Sequence, residues 1–188
     1  ENGKKKSPQI ETPINKSKKI LSVYGQSKYK ASKYLLNKFK KFKFPLVILR
    51  PYLIYGPNQE PNRLIPHVIK NCLLNKEFKL SNCTQYRDFL YIDDYINILF
   101  KILKSNIGIG QIFNIGSGKP IQLKKIINLI KNNIKKGKPI FGELKLRRDE
   151  ILKMYANINK VKKYYKWKPK TAIKSGINKT IRSLVKEI

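Results

Sequence analysis

A chain of 188 residues with 41% hydrophobic and 11% aromatic content can bury a real core, which excludes a disordered tail and fits one domain or a piece of a larger one. The formal net charge of +31 comes from 36 Lys and 6 Arg against 11 acidic residues, spread from Lys4 to Lys186 without the Arg and aromatic clustering of a nucleic-acid reading surface. The charge therefore reads as solvated faces whose positive field attracts anionic ligands, and without an apolar run of membrane-spanning length or a signal-peptide core the expectation is a cytoplasmic protein with no membrane partner.

Residues 1 to about 20 hold Pro8, Pro13 and a Lys run, and read as a surface loop. From Ser22 to about Lys43, Tyr24, Ala31, Tyr34, Leu35, Phe39 and Phe42 keep helical spacing, and Pro45 is expected to end that helix. Leu46-Val47-Ile48-Leu49 is a continuous apolar run, the pattern of a strand buried on both faces of a parallel sheet, and Tyr55-Gly56-Pro57-Asn58 reads as a turn. A helix is predicted over Arg63 to Leu74, then strands over Glu77 to Leu80 and Tyr86 to Ile92. Asp93 is the expected N-cap of a helix running through Lys104. Gln111 to Ile115 reads as a strand ended by Gly116-Ser117-Gly118, and Ile121 to Ile134 as an amphipathic helix. The last quarter is read as irregular to about Tyr155, then a short helix over Asn157 to Tyr165, a break at Trp167-Lys168-Pro169, and a terminal helix from Thr171. Cys72 and Cys83 are too few for a disulfide framework or a zinc site.

The alternation of strand and helix predicts an α/β layer with right-handed crossovers. A complete dinucleotide-binding fold opens with a strand, a glycine-rich turn and a helix. This sequence has no such opening, so a cofactor-binding half is expected upstream.

Tyr24-Gly25-Gln26-Ser27-Lys28 sets a phenol and an ammonium four residues apart, on one face of a helix near its start. A neighbouring fixed cation stabilises a phenolate, which suits a tyrosine that exchanges a proton with a sugar hydroxyl or carbonyl while a nicotinamide carries hydride. The spacing alone is weak, because Tyr29 and Lys33 repeat it one turn on and a solvated helix face explains either pair equally well.

Order adds what spacing lacks. The sequence runs Ile10-Glu11-Thr12-Pro13, Tyr24 to Lys28, Leu49-Arg50-Pro51, Tyr55-Gly56-Pro57-Asn58, Arg87-Asp88-Phe89 with Asp93-Asp94, Phe113-Asn114-Ile115-Gly116-Ser117-Gly118, and Lys166-Trp167-Lys168-Pro169. This series resembles the second half of the extended short-chain dehydrogenase/reductase family, the nucleotide-sugar-modifying NAD-dependent epimerases and dehydratases. The resemblance implies the C-terminal part of a Rossmann-like doubly wound sheet plus a small substrate-binding domain. Residues 1–60 and 86–120 would close the Rossmann-like layer, and 61–85 with 121–188 would form most of the substrate-binding portion. It implies NAD or NADP as cofactor, a nucleotide-diphosphate sugar as substrate, and epimerase, dehydratase or 4-ketoreductase chemistry. Tyr24 matches the catalytic tyrosine and Lys28 the lysine that holds the nicotinamide ribose. Pro51 and Tyr52 match positions lining the nicotinamide pocket. Arg87 matches an arginine that approaches the nucleotide-sugar phosphates or ribose, and Arg147 or Arg148 a second one. Leu64 with Ile65 and Pro66 opens a helix flanking the nucleotide. A homodimer is expected by the same analogy, with Tyr34, Leu35 and Phe39 as apolar contacts unless they face the core.

Two positions depart from the pattern. The family's catalytic Ser or Thr would fall at or just before Glu1, so this region is expected to be inactive alone. Leu53 stands where many members carry a substrate-contacting Asn. Asp88, Asp93 and Asp94 are expected to cap helices and tie turns, Gly116 to Gly118 to form a strand-to-helix turn, His67 to pack, and Trp167 to anchor the last two helices. The alternative functions are a basic nucleic-acid-binding module and a non-catalytic relative that binds nucleotide-sugars.

Overall fold

The computed structural model describes residues 7–12, 20, 22–146 and 150–186. Helix α1, Val23–Phe42, begins where the Ser22 hydroxyl accepts the Gly25 backbone N–H at 3.0 Å, an N-cap satisfying one of the first turn's free donors. It ends before Pro45: Lys43 turns left-handed (φ 56°) and donates its N–H to the Phe39 carbonyl.

Strand β1, Ile48–Pro51, pairs in parallel with β5, Ile112–Ile115, matching Ile48 with Ile112 and Pro51 with Ile115. In β1 Ile48 is buried and Leu49 and Arg50 are half-buried, with Val47 and Leu49 packed against a core. The chain then changes partner. The Tyr52 N–H donates to Ile115, and β2, Leu53–Tyr55, lies parallel to β4, Tyr86–Tyr91. Strand β4 is the hub: its first half also pairs antiparallel with β6, Pro120–Gln122, and parallel with β8, Lys153–Met154.

Because strand side chains alternate faces, β4 serves two cores. Phe89 and Tyr91 join Tyr55, Ile65, Val68, Ile69, Ile126, Ile127, Ile130 and Ile177 in one cluster. Leu90 joins Ile98, Ile102, Phe113, Ile115, Val161, Tyr165 and Trp167 in the other. The first cluster is built largely by α2, Leu64–Leu73, α4, Leu123–Ile134, and α6, Ile173–Val185. The second packs α5, Asn159–Tyr165, onto β5 and α3, Ile92–Leu103, onto β4 and α5.

Three expectations are corrected. Helix α3 starts one residue earlier than Asp93, with Tyr91 as an N-cap that makes no side-chain bond. Asp93 and Asp94 therefore fall in its first turn, where carboxylates favour the positive helix end. Asp94 caps something else: its two oxygens accept the Lys170 and Thr171 N–H groups, each at 2.9 Å, fixing the approach to α6. Secondly, the stretch before Tyr155 is not wholly irregular. It contains β7, Lys138–Phe141, paired in parallel with β3, Glu77–Leu80, and also β8. Thirdly, Trp167 is buried in the second core with β4, α3, β5 and α5 rather than lodged between the last two helices.

Candidate active site

The first turn of α1 displays Tyr24, a residue 73% exposed, and the Lys28 Nζ lies 5.4 Å from its ring centroid. Four-residue spacing on a helix brings the two together, as expected. Gly25 between them is buried, and a Cβ there would approach Ile20 and the Ser22 hydroxyl to 2.8 Å. Only a residue without a side chain lets this turn sit so close to the preceding segment.

Pro51 and Tyr52 occupy the carboxyl end of β1, where pairing passes from β5 to β4. Carboxyl ends of parallel strands are where open α/β sheets receive ligands. Tyr52 is held in place: its phenol donates to Gln9 Oε1 at 3.0 Å. Gln9 is buried, its carbonyl accepting from Asn114 Nδ2 at 2.8 Å and from the Asn157 N–H at 2.8 Å. The Glu11 carboxylate takes the Asn114 N–H at 2.9 Å, and Arg50 Nη1 donates to the Thr12 carbonyl at 3.2 Å.

Arg87 is buried on β4. Its Nη1 donates to the Tyr86 carbonyl at 2.8 Å and its Nη2 to Glu150 Oε1, an ion pair with both side chains largely covered. Burial pulls the guanidinium below its ordinary value, and the Glu150 carboxylate opposes that shift. Sequence reasoning did not single out Glu150 as the partner of Arg87, since it lies 63 positions away with no periodic signal linking the two.

Asp88, next to Arg87, is fully buried and does structural work. Oδ1 accepts from the Ser117 N–H at 2.6 Å and its hydroxyl at 2.5 Å, and Oδ2 from the N–H groups of Gly118 at 3.0 Å and Ala156 at 3.1 Å. Gly116 makes this possible, because a Cβ there would stand 2.5 Å from Asp88 Oδ2. Gly116 to Gly118 thus turn the chain from β5 into β6 rather than directly into a helix as expected, since α4 begins only after the three residues of β6. His67 packs its ring edge-on against Phe78, as expected of a residue without ligand partners.

Leu64 opens α2 as predicted and packs against the first core. Arg147 and Arg148 lie outside the described residues. Tyr34 and Leu35 are exposed on α1, whereas Phe39 turns inward: a Cβ on Gly110 would meet its ring at 2.6 Å. A cleft of about 360 Å³, lined by Thr12, Leu36, Phe39, Gly110, Gln111 and Lys160 among others, lies behind α1 and includes none of the predicted site residues. Among the described residues no group of three His, Cys, Asp or Glu could hold a metal, and no helix is long and apolar enough to cross a membrane.

Parallel strands joined through helices, with a Tyr-x-x-x-Lys pair on the helix that feeds β1, define part of a Rossmann-like α/β protein of the short-chain dehydrogenase type. The model of the NAD dependent epimerase/dehydratase family matches residues 1–116, and the chain belongs to that family. Among curated relatives, the CDP-abequose synthase of Salmonella muenchen is 32% identical over 135 residues, which are 71% of this chain and 46% of that protein. The structure resembles that of UDP-glucuronic acid 4-epimerase from Bacillus cereus in complex with UDP-glucuronic acid and NAD. The TM-score is 0.82 and identity 26%, covering 100% of this chain and 58% of that one. UDP-glucose 4-epimerase from Thermotoga maritima shares the fold at TM-score 0.88 and 22% identity, over 99% of this chain and 60% of that one. The chain spans about half the length of the curated relatives it matches.

Proposed function

We propose that this chain supplies the catalytic helix and most of the nucleotide-sugar site of an NAD(P)-dependent epimerase, dehydratase or 4-ketoreductase. The observation that carries the reading is the place of the Tyr24–Lys28 pair, on the helix that feeds β1 and at the head of the ordered motifs within the residues that the family matches. Membership of the family and the relatives' substrates support it.

Tyr24 passes a proton to or from a sugar oxygen, and Lys28 is the fixed cation beside it and a donor to the nicotinamide ribose. Pro51 and Tyr52 form one wall of the nicotinamide pocket, with Tyr52 immobilised through Gln9. These residues suit the nicotinamide end of NAD or NADP, since a phenol, an ammonium and an apolar wall lie on exposed positions of the helix and strand ends. The cofactor's diphosphate end needs a glycine-rich strand-to-helix turn, which this sequence does not contain. When bound, the nicotinamide accepts and returns a hydride. Arg87 is the donor to the sugar nucleotide's phosphates, a guanidinium fork suited to charge-assisted bonds, and Leu64 begins the helix flanking the nucleotide. Arg147 or Arg148 is proposed as a second phosphate contact. The core around Leu90, Phe113 and Trp167 belongs to the cofactor layer, and the core around Ile65, Ile127 and Ile177 to the substrate portion. The active form is proposed as a homodimer.

The test is Tyr24→Phe in the complete gene product. The expected result is loss of turnover by at least about 100-fold, with NAD(H) still bound by fluorescence titration. Unchanged turnover refutes the assignment.

A further inference from the structure

Arg87 presents a problem that its proposed role does not solve. A guanidinium meant for a diphosphate is already engaged by a carboxylate, and the pair is enclosed: side-chain exposure is 10% for Arg87 and 22% for Glu150. The backbone around Arg87 is rigid, because β4 is held there on both sides, by Ile121 of β6 and Met154 of β8. Nη1 is turned back to the Tyr86 carbonyl, which leaves Nη2 as the end that meets the acid. Glu150, by contrast, stands on a stretch without regular structure, three residues before β8. In such a pair the arginine stands on a backbone held by two strands and the glutamate on one held by none.

A carboxylate and a phosphate offer the same chemistry to a guanidinium, two oxygens in a plane matching its fork. Removing the carboxylate without replacement would leave a buried, uncompensated cation, which is strongly unfavourable. We infer that Glu150 is the resident anion of the nucleotide site. It holds the Arg87 guanidinium in position when no ligand is bound and gives up Nη2 to a phosphate of an entering nucleoside diphosphate. This rests on the reading of Arg87 as a phosphate donor, and it makes Glu150 a positioning residue that sets affinity by competition. A ligand whose phosphates reach Arg87 must displace Glu150, whereas a nucleoside lacking phosphates has nothing to displace it with.

The experiment is isothermal titration of UDP, inorganic pyrophosphate and uridine into the wild type, Glu150→Gln, Glu150→Asp and Arg87→Gln, with each variant's fold checked by circular dichroism. Replacing the anion by a neutral amide weakens the competitor, so Glu150→Gln should bind UDP and pyrophosphate about tenfold more tightly. Uridine affinity should not change, and Glu150→Asp should behave as wild type. A gain confined to the phosphate ligands is something a merely structural role would not produce. Weaker UDP binding by Glu150→Gln would overturn the inference and make Glu150 a direct nucleotide ligand. Unchanged binding would overturn it in favour of a structural pair. Undiminished UDP binding by Arg87→Gln, or no binding by any of the four proteins, would instead refute the assignment of Arg87 on which it rests. If Glu150→Gln unfolds, Glu150→Ser with added acetate replaces it: tighter UDP binding without acetate than with it supports competition, and equal binding refutes it.

Discussion

Asp88→Asn tests how the turn between β5 and β6 is held beside the proposed nucleotide site. The substitution preserves size while replacing one carboxylate oxygen by an NH2 group. Both Asp88 oxygens accept from N–H groups, Oδ1 from Ser117 and Oδ2 from Gly118 and Ala156, so either amide orientation points a donor at a donor. With the NH2 in place of Oδ2, two N–H groups lose their acceptor in a residue with no exposure. A buried hydrogen bond to a charged group contributes roughly 1.5–3 kcal/mol, so the expected loss is about 3–5 kcal/mol. For a chain of this size that lowers Tm by on the order of 10 °C. Urea unfolding followed by far-UV circular dichroism measures it, with Asp88→Glu alongside to separate charge from reach. A loss below about 1 kcal/mol for Asp88→Asn would refute the reasoning.

Gly176→Ala should destabilise by about 1–3 kcal/mol, because the added Cβ would stand 2.1 Å from the Tyr55 hydroxyl and 3.0 Å from the Tyr91 ring in a filled core. Adding Tyr55→Phe removes the obstructing oxygen, whose bond to the Ile173 carbonyl is long at 3.5 Å, and should recover part of the loss in thermal melts. The Cys72 and Cys83 thiols are pushed up by burial, so neither should react with a disulfide reagent at pH 8 until the protein unfolds. The sign for stability follows: above the ordinary thiol range the unfolded chain has lost protons that the folded chain retains, so these groups lower stability as pH rises through it. Serine in both positions should remove that part of the alkaline slope in urea titrations.

Periodicity made the helices legible, since α1, α2, α3 and α4 each carry their apolar residues at helical spacing over ten or more positions. Tyr86 to Tyr91 was legible as a strand, but its two-faced role was not, because alternation does not say that both faces meet a core. The strands that escaped notice, β2, β6, β7 and β8, are only two to four residues long. They exist because β3 and β4 offer open edges, a property of the assembled sheet. Asp93 was misplaced because an N-cap was assigned by residue type, whereas Tyr91 reached that position through the strand it ends. The Tyr24–Lys28 pair was visible in the sequence as one turn of helix, and the partnership of Arg87 with Glu150 was not, since it depends on two distant segments meeting at β4.

The short segment around Gln9 has a consequence for how the chain reaches its fold. The Ser7 hydroxyl donates to the Lys153 carbonyl, Gln9 exchanges backbone bonds with Tyr155 and Asn157, and the Asn114 amide closes on the same carbonyl. Residues near the beginning are thus fastened to residues nearly 150 positions later, and closing a loop of that span carries an entropy cost of about 4 kcal/mol beyond its constant part. Such a contact is gained late, after β4 and β5 have formed the surface that receives it. During synthesis the wall carrying Tyr52 therefore stays unfinished until the last quarter of the chain has emerged, and a ribosome stalled before Tyr155 would hold a sheet whose proposed nicotinamide side has not yet set.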